Sequence, residues 1–151
     1  MKLILAADHA GFALKEAVKE FLNRSDVEFE DLGTDSDASV NWADYGARAA
    51  RRVSESPDRL RGVIICGTGI GMCMVANKFK NVRAALCHDE YTAEMSRRHN
   101  NANVLNIGAR VLDAKQTLRI IDIWLNTPFD GGRHQVRLDY IHDTVEKENF
   151  K

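Results

Sequence analysis

The sequence predicts an α/β fold, a three-layer, Rossmann-like, doubly wound sheet of about five parallel strands with helices on both faces and a C-terminal helix. Short runs of branched apolar residues recur along the chain, and amphipathic helical patterns lie between them. Most runs lack the strict alternation of a strand that has one face in water. Strands and helices that alternate with right-handed crossovers form such a sheet, whose ligands bind at the carboxyl ends of the strands.

Five segments have strand character. Three are short branched or apolar runs at residues 3–5, 63–65 and 104–105, and a fourth, at 83–86, combines small and apolar residues. The fifth, residues 27–32, alternates apolar and acidic side chains over most of its length. Such alternation is typical of a strand at the edge of a sheet.

Helical periodicity is clearest in two segments between or after these strands. Apolar side chains recur three and four positions apart from Leu14 to Leu22, as on one face of a helix. Residues 117–125 carry a similar stripe, and further apolar residues lie beside it: Ile120, Ile123 and Trp124. This second helix therefore needs a second burial surface, either inside the fold or at a contact between subunits.

Length and composition predict a single domain of residues 1–151. The chain is 44% hydrophobic and 28% charged with a formal net charge of -1, so no basic excess favours nucleic acid or an anionic membrane. The apolar stretch before Asp8 is too short for a signal peptide or a spanning helix, so we expect a cytoplasmic protein. The three cysteines form no CxxC pair, and we expect neither disulfides nor a metal site.

The strongest local signal is the turn that follows the third strand. Cys66 ends the strand, and a Gly-Thr-Gly-Ile-Gly segment leads into a helix that reaches about Asn77. Glycines let backbone amides converge on an anion at a helix N-terminus, and the same partial charge favours a thiolate on Cys66. The alternative is a tight turn with a core cysteine. A dinucleotide site is disfavoured, because the spacing is GxGxG and the turn follows the third strand.

Other polar groups follow the predicted strands and helices. Asp8 and His9 close the first strand and would share a crevice with Cys66 if the two strands are neighbours, although Asp8 also suits a helix N-cap. Arg133 and Arg137 lie four residues apart after a Gly-Gly turn, where they would either bind an anion between them or form a solvated face. His99 at a helix end usually only complements the helix dipole.

Together these motifs resemble the type B ribose-5-phosphate isomerases, a family that also includes galactose-6-phosphate and allose-6-phosphate isomerases. The matching segments are residues 8–11, 66–71, 76–78, 96–100 and 131–137, so the resemblance covers essentially the whole chain. It implies a Rossmann-type domain that forms homodimers or dimers of dimers with shared active sites. In relatives the segment 99–110 comes from the neighbouring subunit.

The resemblance also implies roles for individual residues. Cys66 is the base that moves a proton between C1 and C2, with help from Thr68, and His99 is the acid that opens the furanose ring. The enediolate is held by backbone amides in the turn, those of Gly67, Gly69, Ile70 and Gly71. Further substrate contacts are implied for Asp8, His9, Asn100 and Arg110, and phosphate contacts for Arg133 and Arg137. Isomerisation through a cis-enediol needs no redox carrier, so no cofactor is expected.

One position departs from the family pattern. Many relatives have Asp-Tyr-Pro where this chain has Asn41, Trp42 and Ala43. Trp42 would form a wall of the sugar pocket and lacks the phenol hydroxyl, a loss on the order of 1 kcal/mol per hydrogen bond. The resemblance implies ribose 5-phosphate as the substrate, in the pentose phosphate pathway. Allose 6-phosphate, galactose 6-phosphate or a four-carbon sugar phosphate stays open as an alternative substrate.

Two alternatives come from other classes of protein. A non-catalytic module would use the glycine turn and the two arginines to bind a sugar phosphate without converting it. A cysteine hydrolase or thiol redox protein would use an activated Cys66 as a nucleophile, but no Cys-His-Asp order or resolving cysteine supports it.

Overall fold

A computed structural model describes residues 1–150 and confirms the predicted α/β class. Five parallel strands form one sheet in the order β2-β1-β3-β5-β4, and β2 is an edge strand as predicted. The strands are β1 (Lys2–Ala7), β2 (Phe29–Asp31), β3 (Leu60–Cys66), β4 (Ala84–Leu86) and β5 (Val104–Gly108). The helices are α1 (Phe12–Arg24), α2 (Trp42–Glu55), α3 (Ile70–Ala76), α4 (Glu90–Arg98), α5 (Ala114–Asn126) and α6 (Arg133–Tyr140), followed by a π-helical segment (Ile141–Glu146) and α7 (Lys147–Asn149).

Both faces of the sheet are covered, which explains why the central strands read as continuous apolar runs. On one face Leu5 and Ile65 pack with α1 and α5, and on the other Ile4 and Ile64 pack with α2 and α3. All four side chains are fully buried. Burying a side chain of this size contributes about 1.5–3 kcal/mol, so the two cores fix the carboxyl ends of the strands firmly in place.

Helix α5 buries its additional apolar surface within the chain. Ile120, Ile121 and Trp124 are buried, while Ile123 and Leu125 are partly buried against the same core. The helix packs on α1, α4 and β5. Of the two alternatives for this helix, burial inside the fold accounts for its sequence.

The strand order places a crevice between β1 and β3. The chain moves from β1 to β2 on one side and then returns to β3 on the other, so the direction of winding reverses between these neighbours. Ligands of open α/β sheets bind outside the carboxyl ends of the strands at such a switch point. The predicted neighbourhood of the Asp8 and Cys66 segments is therefore present.

None of the helices described for residues 1–150 combines the length and apolarity that crossing a bilayer requires.

Candidate active site

A pocket of about 400 Å³ opens at the carboxyl ends of β1 and β3. It brings together most of the residues that the sequence had singled out, from four separate parts of the chain. The lining residues are Asp8, His9, Ala10, Trp42, Cys66, Gly67, Thr68, Ile70, Gly71 and Arg110. Only Ala10 was not among the candidates, because an alanine carries no chemical signal in a sequence.

Cys66 ends β3, and its sulfur is held by the turn that follows. The Gly69 amide donates a hydrogen bond to Cys66 Sγ over 3.1 Å. Gly69 has a φ of 78°, and a Cβ there would lie 2.5 Å from Leu86 Cδ1. Only glycine adopts this backbone freely, and the Ile107 carbonyl carbon, 3.0 Å from that Cβ, leaves little room for a side chain. The turn thus holds the Gly69 amide against the sulfur as a hydrogen-bond donor.

The turn rests directly on the end of β5. A Cβ on Gly108 would lie 2.7 Å from the carbonyl carbon and oxygen of Thr68, so the two backbones are in contact. The amides of Ala109 and Arg110 donate to the carbonyls of Cys66 and Gly67 over 2.8 and 2.9 Å. The side chain of Thr68 is exposed to the pocket, and its hydroxyl accepts weakly from the Ile70 amide at 3.4 Å.

Asp8 and His9 lie on the opposite side of the crevice. Asp8 is buried, and its Oδ1 accepts from the Gly11 amide over 3.1 Å. Gly11 occupies the N-cap position of α1, and Asp8 accepts from its amide as a capping side chain does three residues on, in the turn that leads into the helix. Capping and a place in the pocket therefore coexist at Asp8. His9 Nδ1 accepts from the Val40 amide over 3.2 Å, which places the ring hydrogen on Nε2 and orients the ring.

Trp42 lines the pocket. It is the first residue of α2, and its side chain is 42% exposed. A Cβ on Gly71 would lie 2.9 Å from Cζ3 of the indole, so the ring lies against the glycine backbone of the turn. A larger residue at position 71 would therefore displace the indole from its present place.

Arg110 lies in the pocket of its own chain. A Cβ on Gly67 would lie 3.3 Å from Arg110 Nη1, so the guanidinium lies over the turn beside Cys66. This differs from the expectation that the whole 99–110 segment serves a neighbouring subunit. The difference follows from the direct pairing of β3 and β5, which carries residue 110 to the Cys66 turn.

The other candidate residues do not line this pocket. His99 is the C-cap of α4, and Asn100 lines a separate groove of about 350 Å³ between β4 and the C-terminal helices. Arg133 and Arg137 are exposed on α6. The ring of His99 instead stacks on that of His134, in the first turn of α6. One chain therefore presents two groups of candidate residues at separate places.

Three potential metal ligands occur within the second group. His99, Asp130 and His134 each offer an atom within 4.8 Å of the others. The two rings are nearly parallel, at 6°, so their in-plane lone pairs do not converge on one point as a metal ion requires. The Asp130 carboxylate is already paired with Arg98 Nε at 3.1 Å. The arrangement is poorly suited to a metal.

The other two cysteines lie outside the pocket. Burial raises the pKa of the Cys87 thiol to about 11 and also raises the pKa of Cys73. Both sulfurs are therefore protonated at neutral pH and pack as small apolar groups.

Comparison with known proteins assigns the chain to a family. The model of the Ribose/Galactose Isomerase family matches residues 3–141. The chain is 37% identical to ribose-5-phosphate isomerase B of Escherichia coli, over 98% of this chain and 99% of the relative. It superposes with a TM-score of 0.94 and 40% identity on ribose-5-phosphate isomerase B from Mycoplasma genitalium with bound ribulose-5-phosphate, covering 97% of both chains. For the enzyme of Clostridium thermocellum the TM-score is 0.93 at 40% identity, covering 98% and 99%.

The chain belongs to the ribose/galactose isomerase family. It is an aldose-ketose isomerase, and the resemblance seen in the sequence is confirmed. This result sets aside the non-catalytic binding module and the cysteine hydrolase as descriptions of the chain.

Proposed function

We propose that Cys66 moves the proton between C2 and C1 in the interconversion of ribose 5-phosphate and ribulose 5-phosphate, within pentose phosphate metabolism. The observation that carries this assignment is the hydrogen bond from the Gly69 amide to Cys66 Sγ at the pocket wall. The thiolate removes the C2 proton of the open-chain aldose, and the electrons form the enediolate with its charge on O1. A proton passes from the C2 hydroxyl to O1, and the thiol then returns its proton to C1, which gives the ketose. The cycle consumes no oxidant or reductant, so it needs no cofactor.

The enediolate oxygens need hydrogen-bond donors near the sulfur. Helix α3 begins at Ile70, so its first amides have no acceptor within the helix and point toward the pocket end of the turn. We assign the backbone of Gly67, Ile70 and Gly71 to this role, with the Thr68 hydroxyl assisting proton transfer. The Gly69 amide, predicted for the same role, instead donates to Cys66 Sγ. Donors that are already oriented act on the developing charge without reorganisation.

The sugar is held by the remaining pocket residues. Asp8 and His9 face the turn across the crevice and offer an acceptor and a donor for sugar hydroxyls. Trp42 supplies an apolar wall, and Arg110 adds a positive charge beside Gly67. These contacts leave the phosphate without the pair of arginines expected for it, because Arg133 and Arg137 lie elsewhere on the chain.

A second copy of the chain supplies the missing groups. In this proposal the enzyme is a cytoplasmic homodimer, or a dimer of dimers, in which His99 and Asn100 of one subunit complete the pocket of the other. His99 protonates the ring oxygen when the furanose opens, and Arg133 and Arg137 bind the phosphate. The support is the separation of the two groups within one chain. A symmetric dimer is the simplest assembly in which each subunit would complete the pocket of the other.

The test is an isomerase assay in metal-free buffer on four substrates: ribose 5-phosphate, allose 6-phosphate, galactose 6-phosphate and erythrose 4-phosphate. We expect turnover of ribose 5-phosphate that disappears in Cys66→Ala and persists in Cys73→Ala. Preferred turnover of another sugar phosphate would change the substrate and keep the mechanism. Turnover that survives Cys66→Ala would remove the sulfur from the proton transfer.

A further inference from the structure

His134 is a buried residue that the roles described so far do not use. It lies in the first turn of α6, directly after the Gly131-Gly132 turn. Its ring stacks on that of His99, with the ring centroids 4.3 Å apart and the planes inclined by 6°. The contact joins the C-terminus of α4 to the N-terminus of α6, two elements that are far apart in the sequence.

The same ring also contacts Arg137. His134 Nδ1 and Arg137 Nη1 are 3.4 Å apart. A guanidinium can only donate, so Nδ1 is the acceptor and the ring hydrogen of His134 lies on Nε2. One imidazole therefore touches both the proposed ring-opening acid, through its face, and a proposed phosphate ligand, through its edge.

The electrostatic surroundings keep this acceptor available. Burial lowers the pKa of His134, and the nearby His99, Arg133 and Arg137 lower it further, against an opposing effect of Asp130. Arg98, on α4, is paired with the Asp130 carboxylate and weakens that opposing effect. A neutral His134 can accept from Arg137 and can stack on a His99 ring that carries a proton, whereas two charged rings at this distance would repel.

We propose that His134 is a positioning residue that orients His99 by ring stacking and Arg137 by a hydrogen bond, so that the acid and the phosphate ligand act as one unit. The inference rests on the roles proposed above for His99 and Arg137. The two contacts use different parts of the ring, so they can be removed separately.

Two substitutions separate the contacts. His134→Phe keeps an aromatic face for His99 but removes the acceptor, so we expect the KM for ribose 5-phosphate to rise about tenfold with kcat within about twofold. His134→Asn keeps an acceptor near the position of Nδ1 but removes the stack. Since a general acid accelerates a reaction about 10²–10⁴-fold, a misoriented acid should lower kcat about tenfold or more, with little change in KM.

A third readout isolates ring opening. Ribulose 5-phosphate has no ring to open, so His134→Asn should keep its kcat with this substrate within about twofold while losing it with ribose 5-phosphate. The thermal midpoint of each variant is measured beside the kinetics.

Wild-type kinetics in both variants, or a parallel fall of kcat with a rise of KM in both, overturns the positioning role, because a merely structural residue gives no such split. Failure of the wild-type chain to convert ribose 5-phosphate overturns the proposed function as well, and it is seen before any variant is made.

Discussion

In the proposed mechanism the chemistry depends on one sulfur atom, Cys66 Sγ, which accepts a hydrogen bond from the Gly69 amide at 3.1 Å. We expect Cys66→Ala to abolish exchange of the C2 proton with solvent while sugar phosphate binding stays within a few-fold. The reason is that the substitution removes the base but leaves the arginines and the pocket walls in place. Proton exchange is followed by NMR in deuterated buffer, and binding by titration calorimetry.

The matched control is Cys73→Ala. The Cys73 sulfur is partly buried on α3, and burial raises its pKa, so it is not expected to act as a base. The Cys73→Ala variant should therefore exchange the C2 proton at close to the normal rate. Equal loss in both variants would point to damage to α3 and would remove the special role of Cys66.

Gly69 provides a second prediction at the scale of one residue. In Gly69→Ala the new Cβ would lie 2.5 Å from Leu86 Cδ1 and 3.0 Å from the Ile107 carbonyl carbon, at a φ of 78°. We expect a loss of about 1–3 kcal/mol in the free energy of unfolding, and a fall in kcat because the amide leaves the sulfur. Urea titration and steady-state kinetics measure the two effects.

Gly131→Ala is the control for backbone strain. Gly131 has a φ of 66°, but a Cβ there meets nothing within 4 Å. The substitution should therefore lower the free energy of unfolding by about 1–2 kcal/mol, the cost of holding an alanine in the left-handed conformation. If Gly69→Ala were no more harmful than Gly131→Ala, the close packing of the turn on β5 would be unimportant.

Among the elements, α1 and β2 are joined by a buried ion pair that the sequence did not reveal. Lys15 is 2% exposed and pairs with Asp31, whose Oδ1 also accepts from the Gly33 amide over 2.9 Å. Burial alone would raise the pKa of Asp31, but hydrogen bonds from Lys15, Gly33 and Lys19 outweigh it, and the pKa is held below its ordinary 3.8.

This depressed pKa determines how stability changes with acid. Above the unfolded value of 3.8 both states are ionised and the stabilisation is fully present. As the pH falls below 3.8 toward the folded pKa, the unfolded state takes the proton first, so stability is lost. We expect Asp31→Asn to be about 1–3 kcal/mol less stable at pH 7 and to show a weaker loss between pH 4 and pH 2.

Urea unfolding at several pH values measures this difference. Glu20→Gln, on the exposed face of α1, is the control and should leave the acid profile nearly unchanged. A profile of Asp31→Asn parallel to that of the wild type would show that the pair contributes nothing to acid stability.

The strands were largely predictable, because four of them lie in short runs of apolar or small residues and β2 lies in a segment that alternates apolar and acidic residues. The burial of Lys15 was not predictable, since a lysine beside an amphipathic stripe normally remains in water. Its partner, Asp31, comes from β2, which follows α1 in the chain. Arg110 and Gly67 were both identified, yet their contact depends on the pairing of β3 with β5, which no local pattern encodes. The His99–His134 stack is likewise a contact between distant segments.

At the scale of the whole molecule, the separation of the two groups of candidate residues makes a quantitative prediction about mixed dimers. In the proposed dimer each active site takes Cys66 from one subunit and His99 from the other. A hybrid of Cys66→Ala with His99→Ala therefore carries both defects in one site and leaves the other site intact.

Each variant alone should be nearly inactive. After subunit exchange in a one-to-one mixture, half of the dimers are hybrids, so activity should recover to about a quarter of the wild-type value.

The exchange is carried out by mild denaturation and refolding of differently tagged variants, and the hybrid is purified through both tags. A purified hybrid should reach about half of the wild-type kcat with an unchanged KM, because its single intact site is complete. The control is a hybrid of Cys66→Ala with Thr68→Ala, whose defects lie on the same turn and disable both sites. No recovery with His99→Ala would mean that His99 serves the pocket of its own chain, whereas recovery in the control would mean that Thr68→Ala does not disable a site.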